Sequence, residues 1–126
     1  MSRPRRTERP GDEAVLSFLL TVTASSYGLP PSDLTRPTRR EPIVEARHTA
    51  VTIAYTLFNF PCGWLADRMG FRRHCSVMHS RRTVCNLFDS DHQVRTRIID
   101  IAITLGRPVD SLRDTLAANK RVPDVD

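Results

Sequence analysis

The stretch Trp64–His79 (WLADRMGFRRHCSVMH) constrains this chain more than any other part of it. A short helix is predicted over Cys62–Met69, with Gly70 ending it and Phe71 plugging the corner that follows. A second helix runs from about Arg73 to Phe88. In it Val77, Ser80, Val84 and Leu87 or Phe88 recur at three- and four-residue steps and are expected to face a core. Arg73, His74, Ser76, His79 and Arg82 are left for the outer face. Helix, tight turn and second helix make a helix-turn-helix, whose second helix enters the DNA major groove. The N-terminus of a helix carries free N–H groups and a partial positive charge, and here Arg72, Arg73 and His74 reinforce it.

Charge is placed unevenly along the chain. The whole chain carries +5, but between Arg36 and Arg82 nine arginines meet Glu41, Glu45 and Asp67, a local +6, so the flanks net −1. A basic middle between near-neutral flanks points to an anionic partner bound by that middle. Hydrophobic residues at 40% fit a globular domain, and the length of 126 residues fits one small domain with tails. No apolar run approaches the ~18–20 residues that span a bilayer. Cys62, Cys75 and Cys85 form no C-x-x-C pair, and the opening Met1–Gly11 has no apolar core of a signal peptide. A cytoplasmic, nucleoid-associated protein with reduced thiols and no membrane partner is expected.

Taken in order, residues 1–11 read as a disordered basic tail, with four Arg and two Pro before Gly11. Asp12 is expected to cap a helix to about Ser26, ended by Tyr27-Gly28 and barred from continuing by Pro30-Pro31. A turn at Ser32-Asp33 buries Leu34. Thr35–Glu41 is a basic loop with Arg36, Arg39 and Arg40. An arginine on such a loop can reach the minor groove, and a solvated linker is the alternative. Pro42 suits the first turn of a helix to about Phe58, with an apolar face at Ile43, Ala46, Ala50, Ala54 and Leu57. Arg47 falls beside that face and is long enough to point out to a phosphate. Asp91 caps a helix to about Leu105, and a last short helix is expected within 110–119.

From about Ala14 to Asp91 the chain resembles the C-terminal DNA-binding domain of the bacterial replication initiator DnaA. Tyr27-Gly28-Leu29-Pro30-Pro31-Ser32-Asp33-Leu34 is similar to that family's YGI-x-x-x-DL turn. Ile43–Ala50 is similar to its IV-x-x-R-x-x-A helix, and Gly70–His79 to its G-x-RDH-[ST]-T-V-x-H signature. The resemblance implies an all-α, Trp-repressor-like domain of five to six helices over 12–91, with 92–126 as a C-terminal helical extension. It implies Arg39 in the minor groove, Arg47 and Arg72 on phosphates, His74 and Ser76 on base edges, and His79 supporting helix or backbone contacts. Arg36, Arg40 and Arg68 add phosphate contacts. Three departures stand out: Arg73 replaces the family's aspartate, Cys75 its threonine, and Cys62-Gly63 its Leu-Pro. Aspartate accepts a hydrogen bond from cytosine or adenine, whereas arginine prefers guanine or phosphate.

Other chemistries find less support. Cys75 and His79 lie four apart, but no second pair has metal-ligand spacing, so no metal or cofactor is expected. No nucleophile has a base and orienting acid, so the chain is not read as an enzyme. No G-x-x-x-x-G-K-[ST] occurs, and the only Lys is Lys120, so no ATPase activity is expected. A rival reading makes the domain a protein-interaction or dimerisation module, with Val94, Ile98, Ile101 and Ile103 of segment 91–105 meeting a partner helix or a second copy. Those residues can equally cap the domain's own core.

Overall fold

The computed structural model describes residues 11–71, 73, 75–110 and 112–118, and among them are six α-helices, one 3-10 turn and no strand. The order is α1 (Asp12–Ser26), the 3-10 turn (Pro31–Thr35), α2 (Ile43–Thr56), α3 (Cys62–Met69), α4 (Cys75–Ser90), α5 (His92–Thr104) and α6 (Leu112–Ala118). The fold is all-α, as the sequence predicts. The basic tail expected before Gly11 lies outside the described residues.

The centre of the fold is α2. Every residue from Thr49 to Thr56 is buried, so this half of the helix has no solvent face. Small and β-branched side chains allow that, because they let neighbouring helices approach from several sides. Helices α1, α3, α4 and α6 and the 3-10 turn all pack on it. The apolar stripe expected along one side of α2 is therefore too narrow a description, and the helix stops at Thr56 rather than Phe58. Asn59 takes a left-handed φ of 57° just beyond, a conformation asparagine tolerates better than most residues.

Around α2 the apolar residues form two clusters. The larger joins Leu16 and Leu19 of α1, Leu34, the buried face of α2, Phe60, Leu65 and Met69 of α3, Val77 of α4 and Ile101 of α5. The smaller joins Val84, Cys85 and Phe88 of α4 to Val94, Ile98 and Ala102 of α5 and Leu112 and Leu116 of α6. Leu57 touches both. Of the two readings of segment 91–105, the one in which it caps the domain's own core holds for Val94, Ile98 and Ile101, which are buried in the chain's own interior. Of that set only Ile103 is exposed.

The helix ends follow local chemistry. Gly11, not Asp12, is the N-cap residue of α1, and Asp12 is the first helical residue, buried at the positive end of the helix. Gly28 (φ 71°) closes α1, with Leu29 N–H donating to Ala24 O at 2.9 Å. Pro42 is the N-cap residue of α2, and the Glu41 carboxylate accepts the Glu45 N–H at 3.0 Å. Asp91 caps α5 as predicted, accepting the N–H groups of Gln93 and Val94 at 3.0 and 3.3 Å. The Tyr27 hydroxyl donates to Glu45 Oε2 at 2.6 Å, and Arg97 of α5 lies 4.1 Å over its ring. One side chain thus ties α1, α2 and α5 together. Burial, then the hydrogen bond to Glu45, pushes the Tyr27 phenol above its ordinary pKa.

Several buried polar atoms have no hydrogen-bond partner, and one of them lies at the centre of α2. The Thr52 hydroxyl of α2 is buried without a hydrogen bond. Thr52→Val keeps the shape and removes the unsatisfied group, so it should stabilise the protein by about 1 kcal/mol. The check is the urea midpoint at unchanged m-value, and a lower midpoint would contradict the assignment.

Candidate nucleic-acid interface

The turn between α3 and α4 is built as the sequence predicts. Cys62, Leu65, Ala66 and Met69 bury one face of α3. Gly70 then turns the chain at φ 75°, a conformation that costs most residues about 1 kcal/mol or more. Phe71 N–H donates back to Ala66 O at 2.8 Å, and the Phe71 ring packs, half-buried, against the larger core. Helix α4 begins at Cys75, two residues later than expected, and makes its broadest contact with α2. On α4, Val77, Ser80, Val84 and Phe88 are buried, as their spacing predicts. Arg73, His79 and Arg82 are exposed and Ser76 is half-buried. Arg72 and His74 lie outside the described residues, and Cys75 is placed as the first residue of α4.

The basic loop is held from beneath by Arg47. Its Nε donates to Leu34 O at 3.0 Å, its Nη1 to Thr38 O at 3.0 Å and its Nη2 to Arg36 O at 2.6 Å. A guanidinium has five N–H donors, so two remain after these three bonds. Burial pulls Arg47 below its ordinary pKa. The loop adds its own ties, Thr38 N–H to Arg36 O at 2.8 Å and Arg40 N–H to Thr38 Oγ1 at 3.2 Å. Arg39 and Arg40 emerge exposed from this frame. Neither side chain pairs with a carboxylate among the described residues. Arg36 is exposed too and pairs with Asp33 at 3.0 Å.

Besides Arg36, two more of the expected residues have internal partners. The guanidinium of Arg47 turns toward the loop's main chain. Arg68 sits on α3 beside α1: its Nε is 2.6 Å from Glu13 Oε1, and its guanidinium lies 5.0 Å over the Trp64 ring. The loop arginines and Arg47 thus form one unit, Ser76, His79 and Arg73 another, and Arg68 a third contact with α1.

A residue that the sequence reading passed over joins the second unit to α2. His48 Nδ1 is 2.7 Å from Ser80 Oγ, and its ring meets that of His79 edge-on at 5.6 Å. Burial, then the charges of His79 and Arg47, lower the His48 pKa. The available signal was its place next to Arg47, on the side of α2 that faces the buried Ser80. Next to Ser80 on α4, Arg81 is also buried, which a charged residue beside an exposed Arg82 does not suggest.

A bundle in which a short helix, a glycine turn and a longer helix stand beside an exposed arginine loop defines a helix-turn-helix DNA-binding domain. The family of the bacterial DnaA protein helix-turn-helix matches residues 17–84, more than half of the chain, and the chain belongs to that family of double-stranded-DNA-binding domains. The chromosomal replication initiator protein DnaA of Campylobacter fetus subsp. fetus is 24% identical over 90 residues, 71% of this chain and 21% of that protein. The DnaA of Flavobacterium psychrophilum is 27% identical over 89 residues, 71% of this chain and 19% of that protein. The chain thus spans about a fifth of the length of the curated relatives it matches. The match ends at Val84, so α5, α6 and most of the second core lie beyond it. Among the described residues no helix is long and apolar enough to cross a membrane.

Two outcomes follow from this geometry. Arg47→Met removes three charged donors from the loop carbonyls and should cost about 1–3 kcal/mol in urea unfolding, with faster amide exchange over 35–41. Arg47→Lys should not restore it, because one ammonium cannot replace a fork of donors. His48 has a folded pKa below its unfolded value of about 6.5, so the unfolded state takes up its proton first. The stability tied to His48 is full above about pH 6.5 and is lost as pH falls below that value through the lower folded pKa. Urea midpoints from pH 7.5 to 5 should therefore fall less steeply in His48→Asn than in wild type, and parallel curves would contradict the assignment.

Proposed function

We propose that the chain binds double-stranded DNA sequence-specifically, at sites related to the initiator's box, and so controls replication initiation or transcription. The observation that carries this reading is the pairing of a rigid arginine loop with a positioned second helix. Arg47 spends three donors to fix a loop whose Arg39 and Arg40 have no carboxylate partner among the described residues. In this reading Arg39 enters the minor groove, while Arg73, His74, Cys75, Ser76 and His79 line the major-groove edge. Arg36, Arg40 and Arg72 hold phosphates, with Arg47 through its remaining donors and Arg68 once it leaves Glu13. The domain binds without hydrolysing ATP, since its sequence has no phosphate-binding glycine loop.

Arg73 sets the difference in specificity. Where the family's aspartate would accept from cytosine or adenine, an arginine donates to guanine or phosphate. Arg73→Asp should therefore move the preference at one base pair, by about 1–3 kcal/mol.

Fluorescence anisotropy tests the whole reading. The protein is titrated with a duplex carrying an initiator-type nine-base-pair box and with a scrambled duplex, at several salt concentrations. With about 4–6 phosphates neutralised, log K should fall against log salt with a slope of roughly −4 to −5. A slope near zero, or no binding to either duplex, would overturn the reading. The second outcome would favour an interaction module, for which Phe18 and Ile103 are the most exposed apolar side chains among those described, at 56% and 58%.

A further inference from the structure

Two consecutive residues of α2 point at the two reading elements. Arg47 holds the loop through the carbonyls of Leu34, Arg36 and Thr38. His48 holds α4 through Ser80, a side chain with no exposure, by a 2.7 Å bond whose direction depends on the imidazole tautomer. Ser80 lies next to His79, whose ring packs edge-on against His48. Val77 and Val84, both fully buried, flank Ser80 on α4. Apolar packing alone lets a helix rotate or slide slightly at low cost, whereas a buried hydrogen bond has one register.

From this geometry we propose that His48 is a positioning residue for DNA reading: through Ser80 it fixes the rotation and depth of α4, and with Arg47 beside it fixes the recognition helix relative to the arginine loop. The inference rests on the DNA-binding reading above and deepens it. His48 itself touches no base. Its effect reaches the DNA through exposed His79, next to Ser80, and half-buried Ser76, about one turn away along α4. Phosphate contacts tolerate a small displacement of α4, because they are long-range and numerous. Base contacts do not, because bidentate and edge contacts need their geometry. The arrangement therefore separates specificity from affinity.

The test measures selectivity, not binding alone. The specific duplex is one that wild-type protein enriches from a random pool, and the reference is a scrambled duplex of equal length. His48→Ala should lower the ratio of the two affinities about tenfold, 1.4 kcal/mol. Affinity for the scrambled duplex and the salt slope should change less than twofold. Ser80→Ala should do the same, and the double variant should add nothing further. His48→Asn, whose amide stands where Nδ1 stood, should restore most of the ratio. Amide exchange provides an arm independent of DNA: the first turns of α4 should exchange faster in both alanine variants, with α1 and α5 unchanged. An unchanged ratio in His48→Ala and Ser80→Ala would overturn the proposal, as would additive losses in the double variant. If His48→Ala fails to fold, Ser80→Ala and His48→Asn decide alone. Wild-type protein that enriches no sequence overturns the specific-binding reading itself, while faster exchange in α4 would still support the clasp.

Discussion

The structure depends on one constraint, that α2 has no outward face after His48. From Thr49 to Thr56 each side chain meets another element, and the residues that allow it are small or β-branched, with Tyr55 as the one large exception. Threonine serves this role at a cost: its methyl packs as valine's would, but its hydroxyl must find a partner. Thr49 reaches the Tyr27 hydroxyl at 3.2 Å and Thr56 donates to Thr52 O at 2.6 Å, while the Thr52 hydroxyl finds none. A helix enclosed this way cannot shift without disturbing α1, α3, α4 and α6 together. The N-terminal part of α2 is then a rigid base, and Arg47 and His48 are the last residues before the enclosure begins.

That placement explains how a small domain holds two separate reading elements. The loop has no core of its own, since between Thr35 and Glu41 every residue is exposed except half-buried Thr38. Its order comes from carbonyls accepting from one guanidinium. Helix α4 has ample apolar contact, and its order in the remaining direction comes from Ser80. Both restraints attach to α2 one residue apart, so the distance from loop to helix is short in covalent terms and carries little accumulated slack.

Local boundaries were readable in the sequence because punctuation is a local matter. Pro61 and Gly70 bracket α3 at Cys62–Met69, and Gly28 marks the end of α1, because a positive φ or a missing N–H acts on its own neighbours. The buried set of α4 was readable from its period. The partners of long side chains were not. Arg47 sits on the flank of its helix, where a guanidinium can swing out to solvent or across to the loop, and only the folded position of Leu34, Arg36 and Thr38 decides. Arg68 pairs with Glu13 from the far end of the chain, which no local pattern encodes. Ile98 and Ile101 read two ways, as a cap on the domain's own core or as a partner-facing stripe, because a sequence does not tell whether an amphipathic face is covered by its own domain or another. His48 lies outside the predicted apolar face of α2, and its partner Ser80 is 32 residues away on another helix, so no local pattern of spacing marks it.

The electrostatics of the loop give the same architecture a functional direction. Arg36, Arg39 and Arg40 share one short loop with Arg47 beneath it, and among the described residues Asp33 pairs with Arg36 alone. Like charges within a Debye length of ~8 Å repel, so this cluster raises the energy of the free protein. The carbonyl dipoles that Arg47 meets offset part of that repulsion. They do so without neutralising charge, which a second carboxylate would have done. A carboxylate would have made a stabler loop and a weaker anion site. Carbonyl acceptors leave the net positive potential intact, to be relieved when phosphates arrive and their counterions depart. The loop is thus ordered by hydrogen bonding and left unsatisfied in charge, a combination that favours polyanion binding over stability of the free domain.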